Sequence, residues 1–251
     1  EMMNIAAIGI GQSGGTIAQK LAQAGYNVSV ANSKGVDGVR DFADKIGAKA
    51  CDLDTVGVGT DVLILSLPTP AIADLPKSLW QGLSPDCVVV DTANYYPEFR
   101  DKPIDEIDNG MAESVWVSSV VGRDVVKAFN MLLAHSLANL GKNPDRKDRL
   151  AMWVAGNDEP AKGRVMTLVE QCGFAPLDGG DLAGSWRQQP NSAGYCCDYT
   201  AHELRQSRAN STQTPTSVRQ NRAYAIAELP NMTEGDFSHE NVIRANRILN
   251  V

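Results

Sequence analysis

The chain has 251 residues, 43% of them hydrophobic, which is enough to bury the core of one large domain or of two smaller ones. Its net charge of −7 argues against nucleic acid as a general partner, because phosphate binding needs a basic face. The sequence contains no apolar run of membrane-spanning length and no secretion signal, so we expect no membrane partner.

The cysteine and histidine content predicts a reducing compartment and no metal centre. Five cysteines without a repeated spacing argue against a disulfide framework and predict a cytoplasmic location. The adjacent Cys196 and Cys197 are interpreted as buried thiols rather than as a redox pair. The three histidines, His135, His202 and His239, are scattered along the chain, so we predict no metal-ligand cluster.

The first element joins an apolar run to a glycine-rich turn. Residues 5–8 are typical of a buried parallel strand, Gly9-x-Gly11-x-x-Gly14 follows, and residues 17–22 give the next helix an apolar face. An ordinary tight turn is the alternative, but this context predicts a binding site for the pyrophosphate of a dinucleotide. The predicted contacts are Gly9, Ile10, Gly11, Gln12, Ser13 and Gly14.

The residues after the second predicted strand, 26–31, indicate which dinucleotide to expect. An NAD-specific fold places an acid there, and its charge would repel a 2′-phosphate. Here Asn32, Ser33 and Lys34 supply hydrogen-bond donors and a positive charge, with Arg40 as a second candidate cation. A polar turn with a solvated lysine is the alternative. The position predicts NADP(H) as the cofactor.

Strands and helices then alternate as in an α/β protein with a Rossmann-like, doubly wound, mostly parallel sheet. The predicted strands are residues 49–51, 62–66, 87–91, 125–129, 151–155 and 173–178, and the predicted helices are 36–46, 71–79, 111–120 and 158–172. Ligands of such sheets bind beyond the carboxyl ends of the strands. The polar or turn-forming residues expected at those ends are Ser66, Pro68, Thr92, Asn94 and Asn130.

Beyond residue 190 the composition changes. We therefore divide the chain into a dinucleotide-binding domain, residues 1–182, and a helical extension, residues 183–251, which we expect to serve dimerisation or the acceptor site. The predicted elements of the extension are a long helix over 185–204, a polar linker or loop over 206–217, and helices over 219–228 and 239–249.

Charged and apolar side chains of the extension allow further predictions. Four arginines, Arg205, Arg208, Arg219 and Arg222, flank the predicted linker and are read as surface charges, with an anionic substrate as the alternative. The last helix, with Ser238 as its cap, has an apolar face that the sheet does not need. This face, formed by Val242, Ile243, Ala245, Ile248 and Leu249, predicts a homodimer, and folding back on the same subunit is the alternative.

Several strings, in order, resemble those of a known family. They are the glycine loop, Ala31–Gly35, Ser66–Pro68, Asp91–Asn94, Val126–Asn130, Ala155–Asp158 and Gly173–Leu182. Over roughly residues 3–190 the chain is similar to the NADP-binding oxidoreductases typified by NADPH-dependent reductases of the deazaflavin coenzyme F420. The resemblance is carried most specifically by Lys-Ala-Phe-Asn and Gly-Phe-x-Pro-Leu-Asp.

The resemblance implies positions for both partners of a hydride transfer. It places Ser66, Leu67 and Pro68 beside the nicotinamide ribose, and Ala128, Phe129 and Asn130 at a cleft where a second ring stacks on the nicotinamide. The chain departs from the family pattern in two places, Gln189-Pro190 where relatives have Glu-Pro, and Met131–His135. Both departures lie where the hydride acceptor would be held.

The chemistry depends on the acceptor. A flavin or deazaflavin needs little acid–base help from the protein, whereas reduction of a carbonyl needs a proton donor. The donor candidates are His135, then Tyr95 and Tyr96, although a core role for His135 is equally consistent with its leucine neighbours. The sequence thus predicts an NADPH-dependent reductase of a flavin-like or small organic acceptor. The alternative is a non-catalytic NADP(H) sensor, which would need no open slot on the nicotinamide face.

Overall fold

Residues 2–251, which the computed structural model describes, form eight strands and eleven α-helices. The strands are β1 Asn4–Ile8, β2 Asn27–Ala31, β3 Lys49–Ala50, β4 Val62–Leu65, β5 Val88–Asp91, β6 Val125–Lys127, β7 Ala151–Val154 and β8 Ala175–Asp178. The helices are α1 Gln12–Gln23, α2 Gly35–Ile46, α3 Thr69–Ile72, α4 Lys77–Gly82, α5 Asp105–Asp108, α6 Glu113–Val121, α7 Ala134–Asn139, α8 Glu159–Gln171, α9 Ala201–Asn210, α10 Pro215–Met232 and α11 His239–Leu249. Within this part of the chain no helix has the length and apolar character that crossing a membrane requires.

The main sheet has the order β3-β2-β1-β4-β5-β6, and all of its strands are parallel. The strand order reverses between β1 and β4, as in a Rossmann fold. Alternate side chains of β1 enter different cores, with Ile5 and Ala7 on one face of the sheet and Ala6 and Ile8 on the other. The predicted α/β, doubly wound, mostly parallel architecture is therefore confirmed.

The last two strands form a separate small sheet. β7 and β8 pair in parallel, and β7 is joined to β6 only by an antiparallel bridge between Lys127 and Ala155. The predicted strand over 125–129 ends early because Phe129 has φ +65°, outside the range of a strand. The predicted helix over 71–79 is instead two short helices, α3 and α4, with Pro76 preceding the second.

The long helix predicted over 185–204 was wrong. A 3₁₀ helix covers only Ala183–Gln188, and α9 begins at Ala201. Between them Pro190 has no amide to donate, and three residues have left-handed backbone conformations that interrupt a helix, namely Asn191, Cys196 and Asp198. This segment is held by side chains of the C-terminal helix region instead, with Asn250 Nδ2 donating to Tyr195 O at 2.8 Å and Asn246 Nδ2 to Cys196 O at 3.0 Å.

The polar linker predicted over 206–217 was also wrong in extent. α9 continues to Asn210 and α10 starts at Pro215, so only four residues separate the two helices. Thr214 caps α10, with its side chain accepting from the amide of Ser217 at 3.2 Å. A threonine followed by proline is a readable helix start, and α10 is consequently longer than the predicted helix over 219–228.

The apolar face of α11 is partly buried against its own chain. Ile243, Ala245 and Leu249 are buried, whereas Ile248 is 61% exposed. Ser238 occupies the predicted cap position, but its side chain forms no capping hydrogen bond. The extension therefore folds back on its own subunit and leaves one apolar side chain of the predicted stripe on the surface.

Candidate nucleotide-binding cleft

The glycine loop lies at the centre of the main sheet, between the carboxyl ends of β1 and β4. The amide of Gly9 donates to Ala31 O at 2.9 Å, and that of Ser66 donates to Ile8 O at 2.8 Å. Gly9 has φ +95°, and a Cβ on it would collide with the Ser66 carbonyl. A Cβ on Gly14 would collide with Gly9 O and lie 2.7 Å from the Ser66 Cβ. Two of the three glycines are therefore required by the packing of β1, α1 and the end of β4.

Gly11 differs from the other two glycines. A Cβ built on it meets no described atom within 4 Å, so the fold itself does not require glycine there. Gly11 is the N-cap residue of α1, and no side chain caps that end. The amides of Gln12, Ser13 and Gly14 come before the first residue with an intrahelical acceptor, Gly15, which bonds to Gly11 O at 2.8 Å. An uncapped helix end beside open space is suited to a phosphate group.

The turn after β2 is folded by Asn32. Its Oδ1 accepts from the amide of Lys34 at 3.0 Å, and its Nδ2 donates to Gly38 O at 3.4 Å. Ser33 and Lys34 are exposed, and the Lys34 ammonium forms no ion pair or hydrogen bond with residues 2–251. Arg40 instead pairs with Asp37 at 3.2 Å, with both side chains exposed. Lys34 is thus the free cation of this turn, and Arg40 is already engaged.

Asp52, a residue that the sequence analysis did not single out, also reaches this turn. It follows β3, and its Oδ1 accepts from the amide of Val36 at 3.3 Å, in the first turn of α2. The carboxylate therefore occupies part of the helix end that a 2′-phosphate would approach. No local pattern identified it, because the contact spans 16 residues.

The carboxyl ends of β4, β5 and β6 bring the predicted polar residues together. Thr92 Oγ1 donates to Leu65 O at 2.7 Å, which joins two strand ends and buries the threonine. Asn94 and Asn130 form a paired contact, with Asn130 Nδ2 donating to Asn94 Oδ1 at 3.0 Å and Asn94 Nδ2 to Asn130 O at 3.3 Å. Ser66 is half-buried beside the glycine loop. The remaining predicted residues at these ends are half-buried Leu67, exposed Pro68 and buried Ala128 and Phe129.

Gln188 extends this amide network and was missed from the sequence. Its backbone oxygen accepts from Asn130 Nδ2 at 2.6 Å. Its Nε2 donates to Trp153 O at 3.0 Å and to Lys127 O at 3.3 Å. The neighbouring Gln189, one of the departures from the family pattern, accepts from the amide of Glu113 at 2.9 Å. Gln188 therefore anchors the 3₁₀ helix to β6 and β7, and Gln189 joins the next residue of the chain to the start of α6.

A buried ionic cluster lies behind the turn that follows β5. The Lys127 ammonium is 4.0 Å from Asp91 Oδ2 and 3.9 Å from Glu113 Oε2, and all three side chains are buried. Asp91 also accepts from the amide of Ala93 and the hydroxyl of Ser114. Glu113 Oε1 accepts from the amide of Tyr95 at 2.8 Å, whereas its Oε2 has no hydrogen-bond partner. Burial raises the pKa of Glu113 to about 7, although Lys127 and the Tyr95 amide lower it.

The hydroxyls of the two tyrosines proposed as donors already have partners. Tyr95 OH donates to Asp108 Oδ1 at 2.9 Å and accepts from the amide of Ile104. Tyr96 OH lies 2.6 Å from Tyr195 OH. Burial raises the pKa of Tyr95 to about 12 and that of Tyr96 further. Both hydroxyls are therefore held in the protein interior as neutral groups.

His135 lies on an exposed face of α7. Its ring stacks on that of His239, with ring centroids 4.4 Å apart, and Nδ1 is 3.3 Å from Asn139 Nδ2. His239 in turn bonds to Asp198 at 2.9 Å. These contacts connect His135 to the C-terminal helix α11, and within residues 2–251 it forms no hydrogen bond with Asn94, Asn130 or Ser66. No group of three potential metal ligands occurs among residues 2–251.

Comparisons with known proteins bear on the family and the fold of this chain. The family model described as NADP oxidoreductase, coenzyme F420-dependent, matches residues 4–95. The Escherichia coli protein YjhV is 35% identical over 108 residues, which are 41% of this chain and 74% of YjhV. The crystal structure of the hypothetical protein SMa0349 from Sinorhizobium meliloti is 33% identical, with a TM-score of 0.60 over 73% of this chain and 88% of that one.

A further solved structure supports the fold alone. It comes from Arthrobacter, is named "putative f420 dependent nadp-reductase", and is 22% identical with a TM-score of 0.60. The similarity covers 72% of this chain and 86% of that chain. Two relatives more than 30% identical to this chain, YjhV and SMa0349, are matched over most of their own length. The chain therefore belongs to the family of NADP oxidoreductases, coenzyme F420-dependent, whose members are NAD(P)-binding oxidoreductases.

Proposed function

We propose that this chain is an NADPH-dependent reductase that passes hydride to a flavin-like or small organic acceptor. The observation that carries the proposal is the uncapped end of α1 behind Gly11, beside space that no described side chain fills. The amides of Gln12, Ser13 and Gly14 would bind the pyrophosphate there. When bound, the nicotinamide supplies the hydride, and the protein supplies position and exclusion of water.

The preference for NADPH depends on the turn after β2. Asn32 fixes the turn, and Ser33 and Lys34 would bind the 2′-phosphate through a hydroxyl and an unpaired ammonium. Asp52 opposes this binding, because its carboxylate already accepts from the first turn of α2. The lysine and the aspartate therefore have opposite expected effects on cofactor choice.

Replacing Lys34 by Ala should reduce the preference for NADPH over NADH by about ten- to a hundredfold, which is the loss of one charge-assisted hydrogen bond. Asp52→Asn should increase that preference, because it removes a charge that repels the phosphate. Titration of each variant with both cofactors measures the two effects, and Lys45→Ala, at the far end of α2, serves as the matched control. Equal affinities of the wild-type protein for NADPH and NADH would contradict the assignment.

The three predicted proton donors are each engaged in contacts within residues 2–251, which favours an acceptor that supplies its own chemistry. The hydroxyls of Tyr95 and Tyr96 are engaged with Asp108 and Tyr195, and His135 stacks on His239. Asn94 and Asn130 are neutral amides that would orient a ring rather than protonate it. Flavins and deazaflavin accept hydride on the ring, so they fit this arrangement better than carbonyls do. Loss of NADPH absorbance with flavins, deazaflavin, quinones and small carbonyls tests the acceptor class.

We also propose that the protein is a cytoplasmic homodimer, since its five cysteines are unpaired and Ile248 is exposed on α11. Replacing Ile248 by Asp should convert the dimer to a monomer, because a charge on the contact face is costly to bury. Light scattering at micromolar concentration measures the molar mass of the wild-type protein and of the variant. A wild-type protein that is already monomeric would rule out this contact.

A further inference from the structure

We propose that Arg187 and Arg208 form a binding site for the anionic group, a phosphate or a carboxylate, of a small molecule. The site is a small pocket of about 40 Å³ between the 3₁₀ helix and the end of α9. It is lined by Trp186, Arg187, Ala193, Arg208, Ser211 and Gln213. The proposal is independent of the hydride-transfer reaction, because none of these residues belongs to the nucleotide cleft described above.

Neither arginine of the pocket has an acidic partner. No carboxylate of residues 2–251 lies within 4.0 Å of either guanidinium, whereas the buried Lys127, Lys162 and Arg222 are each paired with a carboxylate. Asp181, which is near Arg187 in the sequence, accepts instead from the amide of Gly184 at 2.8 Å. Two positive charges thus line one small pocket, and no carboxylate of the described residues pairs directly with either of them.

Arg208 is held in place and desolvated. Its guanidinium carbon lies 3.6 Å from the centre of the Trp153 ring, and Nη2 donates to the backbone oxygen of Arg187 at 3.2 Å. Its Nε is buried and has no hydrogen-bond partner. Burial, and then the charge of Arg187, lower the pKa of Arg208 to about 9. A cation in these surroundings is unfavourable by itself, and an anion in the pocket would supply both the missing charge and the missing acceptor.

The other lining groups shape the pocket. Gln213 accepts from the amide of Ala193 at 2.8 Å and donates to Asn191 O at 3.2 Å, so both ends of its side-chain amide are occupied. Ser211 Oγ donates to Val251 O at 3.5 Å and accepts from the amide of Gln213 at 3.3 Å. The guanidiniums are consequently the strong donors that remain for a ligand, and a forked guanidinium matches phosphate and carboxylate geometry.

The experiment titrates the full chain with inorganic phosphate and, separately, with succinate, at constant ionic strength. Trp186 lines the pocket and Trp153 stacks on Arg208, so tryptophan fluorescence reports occupancy, and calorimetry gives the affinity. We expect saturable binding that weakens about tenfold or more in Arg187→Gln and in Arg208→Gln. Arg205→Gln, an exposed arginine one turn earlier on α9, should bind like the wild-type protein.

Phosphate and succinate distinguish the class of anion that binds, and the variants show whether it binds between Arg187 and Arg208. Tighter binding of phosphate assigns the site to phosphate-bearing ligands, and tighter binding of succinate assigns it to carboxylates. Arg187 is exposed, so Arg187→Gln tests the site even where Arg208→Gln loses stability through Trp153. The proposal is overturned when neither probe shows saturable binding. It is equally overturned when Arg187→Gln keeps the wild-type affinity, or when Arg205→Gln loses as much affinity as the two pocket variants, because the anion then binds elsewhere.

Discussion

Gly11→Val is expected to abolish NADPH binding while leaving the fold intact. The protein itself has room for the new side chain, since a Cβ at Gly11 meets nothing within 4 Å among the described residues. Its backbone φ of −65° is also accessible to valine. The added methyl groups would instead occupy the approach to the free amides of α1. Loss of several phosphate hydrogen bonds should weaken binding by more than about a hundredfold.

Titration with NADPH and thermal unfolding together check this result. The unfolding midpoint should stay within about 3 °C of the wild-type value. Gly163→Val is the matched control, because Gly163 lies on α8 and also has open space around its Cβ position. Gly14→Ala should behave in the opposite way and destabilise the protein, since its Cβ would lie 2.7 Å from that of Ser66. Wild-type affinity in Gly11→Val would mean that the phosphates bind elsewhere.

Glu113→Gln is expected to change how stability depends on pH. The pKa of Glu113 is about 7 in the folded protein against 4.5 for an ordinary glutamate, first because burial disfavours its charge. The raised pKa means that folding favours the protonated form, so the stability from this group is complete below pH 4.5 and is lost as the pH rises through about 7. The difference between the two pKa values of Glu113 corresponds to about 3 kcal/mol of unfolding free energy.

Glutamine retains the oxygen that accepts from Tyr95 and carries no charge at any pH. Both proteins are unfolded with denaturant between pH 4 and pH 8. Over this range the free energy of unfolding of the variant should rise by about 3 kcal/mol relative to that of the wild-type protein. Glu106→Gln, on the exposed helix α5, should show no such gain. A constant difference between wild type and Glu113→Gln across this range would show that folding does not shift the pKa of Glu113. A wild-type protein that gains stability relative to the variant as the pH rises would show that Lys127 holds the carboxylate ionised.

Elements that depend on neighbouring residues were predictable from the sequence. The glycine loop is one example, because the strand, the turn and the helix start all lie within residues 4–23. The positions of Thr92, Asn94 and Asn130 at strand ends followed from the topology of a parallel sheet. Their hydrogen-bond partners did not follow, because Asn94 and Asn130 are 36 residues apart.

Elements fixed by distant contacts were not predictable. Residues 185–204 carry aromatic and cysteine residues at helical spacing, but Asn246, Arg247 and Asn250 bind their backbone oxygens and hold a non-helical path. The burial of Glu113 and its contact with Lys127 likewise join separate elements, α6 and β6. The start of α10 was readable, because Thr214, Pro215 and Ser217 form a cap signal within four residues.

Transfer of deuterium from NADPH that carries deuterium at both C4 positions to C5 of deazaflavin tests the proposed function most directly. A ring carbon retains the label, so mass spectrometry of the product distinguishes direct hydride transfer from exchange with water. The proposal predicts one deuterium per reduced acceptor with the wild-type protein and none with Gly11→Val. Tight NADPH binding without label transfer to deazaflavin, and without NADPH oxidation by flavins or small carbonyls, would contradict a reductase and favour a nucleotide sensor.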